Sequence, residues 1–141
     1  MITGLDHINL QTVQLAAMVK WYDEVMHLHP GKRPAFPFDG AWLYAGDRPV
    51  IHVVEVADAP PPAADLALEH VAFRASGLPA FVRRLREGNH RHRLVQVPGV
   101  PIVQVNVWDP DGNHLHVDFD AAEADGQGFE IEPFRVSKIE A

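Results

Sequence analysis

Residues 107–119 read VWDPDGNHLHVDF, and this stretch decides the fold. Its last six residues alternate between polar and apolar, which is typical of a strand with one buried face. The Asp-Pro-Asp-Gly-Asn segment at 109–113 combines the residues that favour a tight turn. The stretch therefore predicts two strands joined by a turn, and the polar face of the second strand carries His114, His116 and Asp118.

The same pattern occurs twice in the chain. Residues 5–10, LDHINL, match residues 68–73, LEHVAF, and residues 51–53, IHV, match residues 115–117, LHV. In the first half 45 residues separate the two histidines of these motifs, and in the second half 46 residues separate them. Two histidine pairs at nearly the same spacing indicate an internal repeat.

A proline-rich segment separates the two halves. Residues 57–66 read ADAPPPAADL, which favours a linker over a helix or a central strand. Each half then has the pattern of a βαβββ module. The predicted strands lie near 5–11, 34–37, 41–45 and 50–56 and near 68–75, 93–97, 102–108 and 114–119, with helices at 14–28 and 78–87. We expect one domain over 1–141, with modules at 1–58 and 67–120 and a C-terminal tail at 121–141 that has an apolar contact at Phe129, Ile131 and Phe134.

Composition excludes several classes of protein. The chain has 141 residues, of which 47% are hydrophobic and 22% charged, so it is long and apolar enough to form a core. A net charge of −7 disfavours nucleic-acid binding, and the absence of cysteine excludes disulfides, Cys-zinc sites and iron–sulfur clusters. No apolar run approaches the ~20 residues of a membrane span, and the N-terminus does not resemble a signal peptide. We therefore expect a cytoplasmic protein that binds neither membrane nor nucleic acid.

Strand alternation predicts where the histidines point. The apolar side chains of each strand pack on the helices, so the polar side chains share the opposite face. Imidazole is the commonest metal ligand, and several imidazoles on one face predict a metal site. An isolated histidine in an apolar strand is also typical of a hydrogen-bonded core residue, so both interpretations of His52 stay open. The predicted ligands are His7, His70, His116 and His52, and the residues predicted to line the substrate pocket are Asn9, Trp42, Tyr44, Asn106, Trp108 and His114.

The chain resembles the vicinal oxygen chelate superfamily, which includes glyoxalase I, methylmalonyl-CoA epimerase, extradiol dioxygenases, fosfomycin-resistance thiol transferases and bleomycin-resistance proteins. The resemblance covers about residues 3–120 and depends on LDHINL, LEHVAF, the paired modules and VWDPDGNHLHVDF, which is similar to the family ending DPDGN-x-x-E. It implies an α+β fold in which two tandem βαβββ modules form a cupped, mixed eight-stranded sheet with helices on the convex face.

The resemblance also implies a divalent metal held by the first and last strands of the modules. At position 116 this chain has histidine where the family usually has glutamate, which removes a carboxylate that can move protons. No catalytic base is assigned. In the family, a set of two histidines and a carboxylate suits iron(II). For this chain we favour iron(II) oxygenase chemistry, because an all-imidazole shell leaves no obvious proton shuttle for a glyoxalase or an epimerase. Binding by four histidines favours zinc, nickel or cobalt instead, and manganese is a further alternative.

Three functions stay open. The first is oxygenase chemistry on a small substrate that chelates the metal through vicinal oxygens. The second is a glyoxalase-like lyase or isomerase reaction, and the third is metal-free drug binding of the bleomycin-resistance type. We expect a homodimer, because exposed sheet edges are usually covered by pairing with another strand or chain. The site lies either within one chain or between two chains.

Overall fold

A computed structural model describes residues 1–134 of the chain. The chain divides into two compact units, Met1–Pro61 and a second that starts at Pro62. The division falls inside the predicted linker, which holds a short 3-10 helix at Ala63–Asp65. Within residues 1–134, each unit contains one α-helix and one mixed sheet.

The first unit has a four-stranded sheet in the order β1-β4-β3-β2. Strands β1 and β4 are parallel, and the other pairs are antiparallel. Helix α1 packs on β3 and β4, and it buries Met18, Trp21 and Tyr22. The elements are β1 (Ile8–Thr12), α1 (Leu15–Glu24), β2 (His29–Pro30), β3 (Gly40–Ala45) and β4 (Arg48–Glu55).

The second unit repeats this arrangement and adds one strand. Its sheet has the order β5-β8-β7-β6-β9, with β5 parallel to β8. Helix α2 packs on the sheet through the ring of Phe81, whose centroid lies 5.5 Å from that of Phe119. The elements are β5 (His70–Arg74), α2 (Leu78–Glu87), β6 (His92–Gln96), β7 (Ile102–Trp108), β8 (His114–Asp120), a 3-10 helix (Ala121–Ala124) and β9 (Glu132–Pro133).

The predicted α+β fold of two tandem βαβββ modules is confirmed. Each module forms its own sheet, so strands β1–β8 are divided four and four, and β9 extends the second sheet.

Two predicted boundaries in the first half are wrong. The strand expected near 34–37 is a loop, because Pro34 and Pro37 lack the N–H groups that strand pairing requires; β2 lies earlier in the chain. The helix predicted over 14–28 ends at Glu24. The backbone of His27 has a φ of 55°, and the amide of Leu28 donates to the carbonyl of Tyr22 at 3.0 Å, so the chain turns out of the helix through a left-handed residue.

The predicted tail is partly structured. Its 3-10 helix supplies Glu123, whose Oε2 accepts from the amides of Gly77 and Leu78 and so caps α2. The ring of Phe129 lies 5.6 Å from the guanidinium carbon of Arg86, whereas Phe134 is 47% exposed. The final seven residues of the predicted tail lie outside the described residues. No helix in the part of the chain that the structure describes is long and apolar enough to cross a membrane.

Candidate functional site

The first unit brings together two of the predicted ligands. The ring of His52 stacks between two others: the centroid of His7 lies 3.7 Å away and that of Trp42 4.1 Å away. The neighbours of His52 along β4, Ile51 and Val53, are fully buried. Alternation therefore places His52 on the sheet face opposite the core, as predicted.

One ring nitrogen of His52 has no hydrogen-bond partner within residues 1–134. Its Nε2 is buried and has no hydrogen-bond partner among the described residues. Burial, followed by the nearby imidazole of His7, lowers the pKa of His52 below 6.5. The ring is therefore neutral at pH 7, which is the state in which imidazole binds a metal.

A carboxylate orients His7. The Nδ1 of His7 donates to Oδ2 of Asp6 at 2.6 Å, and the hydrogen bond lowers the pKa of Asp6. Nδ1 is occupied in this way, so Nε2 is the nitrogen left for a ligand. A carboxylate that holds the other ring nitrogen is the usual outer partner of a metal-bound histidine.

The second unit repeats the histidine pair. The ring centroids of His70 and His116 lie 4.3 Å apart. His116 is 7% exposed, and its Nδ1 donates to Oδ1 of Asp118 at 3.0 Å. Burial lowers the pKa of His116, although Asp118 partly opposes the shift. Each unit thus holds two neighbouring imidazoles, one at the start of its first strand and one from the strand that pairs with it in parallel.

Glu69 is a site residue that we did not predict. Its carboxylate accepts from Nδ1 of His70 and, at 2.8 Å, from Nδ1 of His114. Ligand atoms of these three residues all lie within 4.8 Å of one another, so they form a second possible donor set that shares His70. Burial acts to raise the pKa of Glu69, but the hydrogen bonds from the two histidines outweigh it, and the pKa is lowered.

The sequence does contain a signal for this carboxylate. An acidic residue directly precedes the first-strand histidine in both halves, as Asp6-His7 and Glu69-His70. In both units the acid is hydrogen-bonded to the histidine that follows it. A repeated pair of this kind indicates an orienting carboxylate.

The predicted pocket residues of the second unit surround His114. Its Nε2 lies 2.9 Å from Oδ1 of Asn106, and its ring stacks on Trp108 with centroids 5.2 Å apart. The guanidinium carbon of Arg91 lies 3.8 Å from the centre of the Trp108 ring. His114, Trp108 and Glu69 line a recess whose far side is formed by Ala63 and Leu66.

The remaining pocket residues of the first unit have different surroundings. Asn9 is exposed and lies beside His52 in the strand register. The hydroxyl of Tyr44 donates to the carbonyl of Lys32 at 2.7 Å, and its ring fills the space beside Gly31. Tyr44 therefore anchors the loop before β3.

Comparison with solved structures shows the fold. A glyoxalase family protein from Bacillus anthracis matches with a TM-score of 0.70 and 19% identity, over 85% of this chain and 97% of that one. A glyoxylase/bleomycin resistance protein/dioxygenase domain from Frankia sp. EAN1pec matches with a TM-score of 0.72 and 16% identity, over 85% and 99%. The fosfomycin resistance protein FosX from Listeria monocytogenes matches with a TM-score of 0.61 and 14% identity, over 84% and 92%.

The chain has the vicinal oxygen chelate fold. No family model and no curated protein matches the sequence. Since the structural relatives are 14–19% identical, they establish the fold and leave the activity to be argued from the residues.

Within the vicinal oxygen chelate fold of this chain, the side chains present fit a divalent metal. The atom that supports this is Nε2 of His52, a buried nitrogen that lacks a partner among residues 1–134. Neutral imidazoles suit zinc, nickel, cobalt and iron, and the Glu69–His70–His114 group has the two-histidine, one-carboxylate composition of non-haem iron sites.

The orienting carboxylates yield a testable prediction. We expect Asp6→Asn and Glu69→Gln each to weaken divalent-metal binding about 10–100-fold, because outer partners that hold a ligating histidine typically contribute that much. Competition with a fluorescent chelator measures the affinity. Asp23→Asn is the matched control, since Asp23 pairs with His29 in an exposed carboxylate–histidine contact outside the histidine pairs. An unchanged affinity in both variants would contradict the orienting role.

The lowered pKa of His116 predicts how stability depends on pH. In metal-free protein the unfolded chain takes up a proton near pH 6.5, while folded His116 resists protonation. The free energy of unfolding should therefore fall as the pH drops from about 7 towards 5. Urea denaturation in the presence of a chelator measures the slope, and His116→Asn should make it shallower. An equal slope in both proteins would show that His116 does not contribute.

Proposed function

We propose that the chain is a divalent-metal-dependent enzyme of the glyoxalase/dioxygenase type, whose small substrate chelates the metal through two vicinal oxygens. The observation that carries the proposal is the repeated histidine pair, with ring centroids 3.7 Å apart in the first unit and 4.3 Å apart in the second. The proposed ligands are His7 from the first unit and His70 and His116 from the second, and the second candidate below adds His52 as a fourth.

The metal's contribution would be to polarise the chelated oxygens as a Lewis acid and, if it is iron(II), to activate dioxygen. The chain's own residues do the positioning. Asp6, Glu69 and Asp118 hold the Nδ1 atoms of His7, His70 and His116 respectively, so the Nε2 atoms of these three histidines keep a fixed direction. The recess lined by Trp108, His114 and Glu69 would receive part of the substrate.

The lowered pKa values of the carboxylates near the histidines favour an oxygenase over an isomerase. An isomerase needs a general base whose pKa lies near the working pH. The pKa values of Asp6 and Glu69 are instead lowered, and both carboxylates already accept hydrogen bonds from imidazoles. They therefore suit a supporting role better than proton transfer, and we favour iron(II) oxygenase chemistry.

A glyoxalase-like lyase is the second candidate. The free Nε2 of His52 favours a set of four imidazoles, which suits nickel, cobalt or zinc better than iron(II). Under this alternative all four histidines would hold the ion in the absence of substrate. The ligand count in the resting protein therefore separates the two candidates.

The decisive experiment measures metal content and oxygen uptake on one preparation. Elemental analysis gives the metal per chain, X-ray absorption gives the number of imidazole ligands, and light scattering tests the proposed homodimer. Anaerobic reconstitution with iron(II) is followed by addition of oxygen and a panel of catechols and diketones. Oxygen uptake that His70→Ala abolishes and His29→Ala retains supports the oxygenase.

The other outcomes also decide between hypotheses. Activity with nickel- or zinc-loaded protein in the absence of oxygen uptake favours the lyase. A protein that binds no metal under any of these conditions contradicts both enzymes and favours a metal-free binding protein.

A further inference from the structure

The loop before β3, residues 31–39, is held in a defined position. The amide of Gly31 donates to the carbonyl of Trp42 at 3.0 Å. The hydroxyl of Tyr44 donates to the carbonyl of Lys32 at 2.7 Å. The start of the loop is thus tied to β3 through both a backbone and a side-chain contact.

Two exposed aromatic rings on this loop are connected to the first histidine pair by a series of ring contacts. Phe36 and Phe38 are 42% and 44% exposed, and their rings stack with centroids 5.1 Å apart. The Phe36 ring lies 6.3 Å from Trp42, which in turn stacks on His52 at 4.1 Å. An exposed apolar surface that leads directly to a proposed metal ligand indicates a substrate surface.

Arg33 supplies a positive charge beside these rings. Its guanidinium carbon lies 4.9 Å from the centre of the Phe36 ring and 5.1 Å from that of Phe38. Its Nη2 donates to the carbonyl of Phe38 at 2.8 Å, and no carboxylate among residues 1–134 forms an ion pair with it. In a chain of net charge −7, this cation keeps free N–H donors next to exposed aromatic rings.

We propose that loop 31–39 is the subsite for a carboxylate-bearing aromatic substrate. The guanidinium of Arg33 would bind the carboxylate, because its planar fork of donors matches two carboxylate oxygens. The rings of Phe36, Phe38 and Trp42 would contact the aromatic ring of the substrate. This inference rests on the proposed function, to which it adds the substrate class: an aromatic acid whose vicinal oxygens lie away from its carboxylate.

Calorimetric titration of chelator-treated protein tests the subsite without metal. The probes are 3,4-dihydroxybenzoate and catechol, which share the vicinal oxygens and differ in the carboxylate. We expect the acid to bind at least about tenfold more tightly than catechol, because a charge-assisted hydrogen bond contributes a difference of this size. Arg33→Gln should remove that difference. Arg84→Gln is the control, because its guanidinium also lies over a phenylalanine ring, Phe81, but on α2. Arg33→Lys should keep part of the preference.

A second pair of variants guards against misfolding of the first. If the circular dichroism spectrum shows that Arg33→Gln is misfolded, Phe36→Leu is used in its place. Phe36→Leu should lower the affinity for both probes several-fold. Phe134→Leu, which alters another exposed ring, should leave both affinities unchanged. Equal affinity of wild-type protein for the two probes, or no binding of the acid, overturns the proposal. Because the titration contains no metal, failure of metal binding leaves its outcome intact, and the two proposals fail independently.

Discussion

Replacing His116 by alanine is expected to lower divalent-metal affinity by more than about a hundredfold. This loss is larger than the about 10–100-fold loss expected when only a carboxylate that orients a ligating histidine is removed. His116 is 7% exposed and is oriented by Asp118, and its lowered pKa keeps the imidazole neutral at pH 7. A neutral, oriented and buried imidazole is the form that binds metal. Competition with a fluorescent chelator gives the affinity, and iron(II) reconstitution should show a parallel loss of oxygen uptake.

His114→Ala distinguishes the two donor sets of the second unit. Both ring nitrogens of His114 already contact oxygens, those of Glu69 and Asn106, so we expect its removal to cost much less metal affinity than removal of His116. The reverse order would contradict the proposed ligands and favour Glu69, His70 and His114. His29→Ala, which removes an exposed histidine, should leave the affinity unchanged.

Asp109→Ala is expected to lower the free energy of unfolding by about 3 kcal/mol, because it removes the acceptor of two part-buried backbone amides and of one side-chain amide. Asp109 is 5% exposed. Its Oδ1 accepts from the amides of Asp111 and Asn113, at 3.0 and 2.9 Å, and its Oδ2 accepts from Nδ2 of Asn113 at 2.8 Å. Urea denaturation of metal-free protein measures the loss.

The same substitution should also disturb the site. The turn at Asp109 joins β7 to β8 and sets the register that pairs Trp108 with His114 and Asn106 with His116. We therefore expect weaker metal binding along with lower stability. Asp58→Ala, in the exposed linker, is the control, and a stability loss below about 1 kcal/mol would show that other contacts hold the turn.

Periodicity made the fold predictable. Strand alternation and the repeated histidine spacing are local properties of the chain, so they indicated both modules and the face on which the histidines lie. The two wrong element boundaries lie where the backbone conformation of single residues does not follow the apolar periodicity. The prolines near 34–37 cannot pair, and the left-handed backbone at His27 ends a helix whose apolar pattern continues.

The partners of the histidines could not be predicted in the same way. That Asp6 and Glu69 hold the histidines that follow them depends on side-chain rotamers, which spacing does not specify. That metal binds through His7, His52, His70 and His116 stays a prediction. The link between Glu69 and His114 joins residues 45 apart and needs the parallel pairing of β5 with β8.

By itself the sequence determined that this protein consists of two βαβββ modules with histidines on one face of each sheet, because alternation and repetition are written into residue order. Tertiary structure alone decided which ring nitrogen stays free, which carboxylate orients each imidazole, and that Arg33 lies over Phe36 and Phe38. The physical reason is that charge, burial and hydrogen bonding act over a few ångströms in space, and those distances exist only after distant segments have packed together.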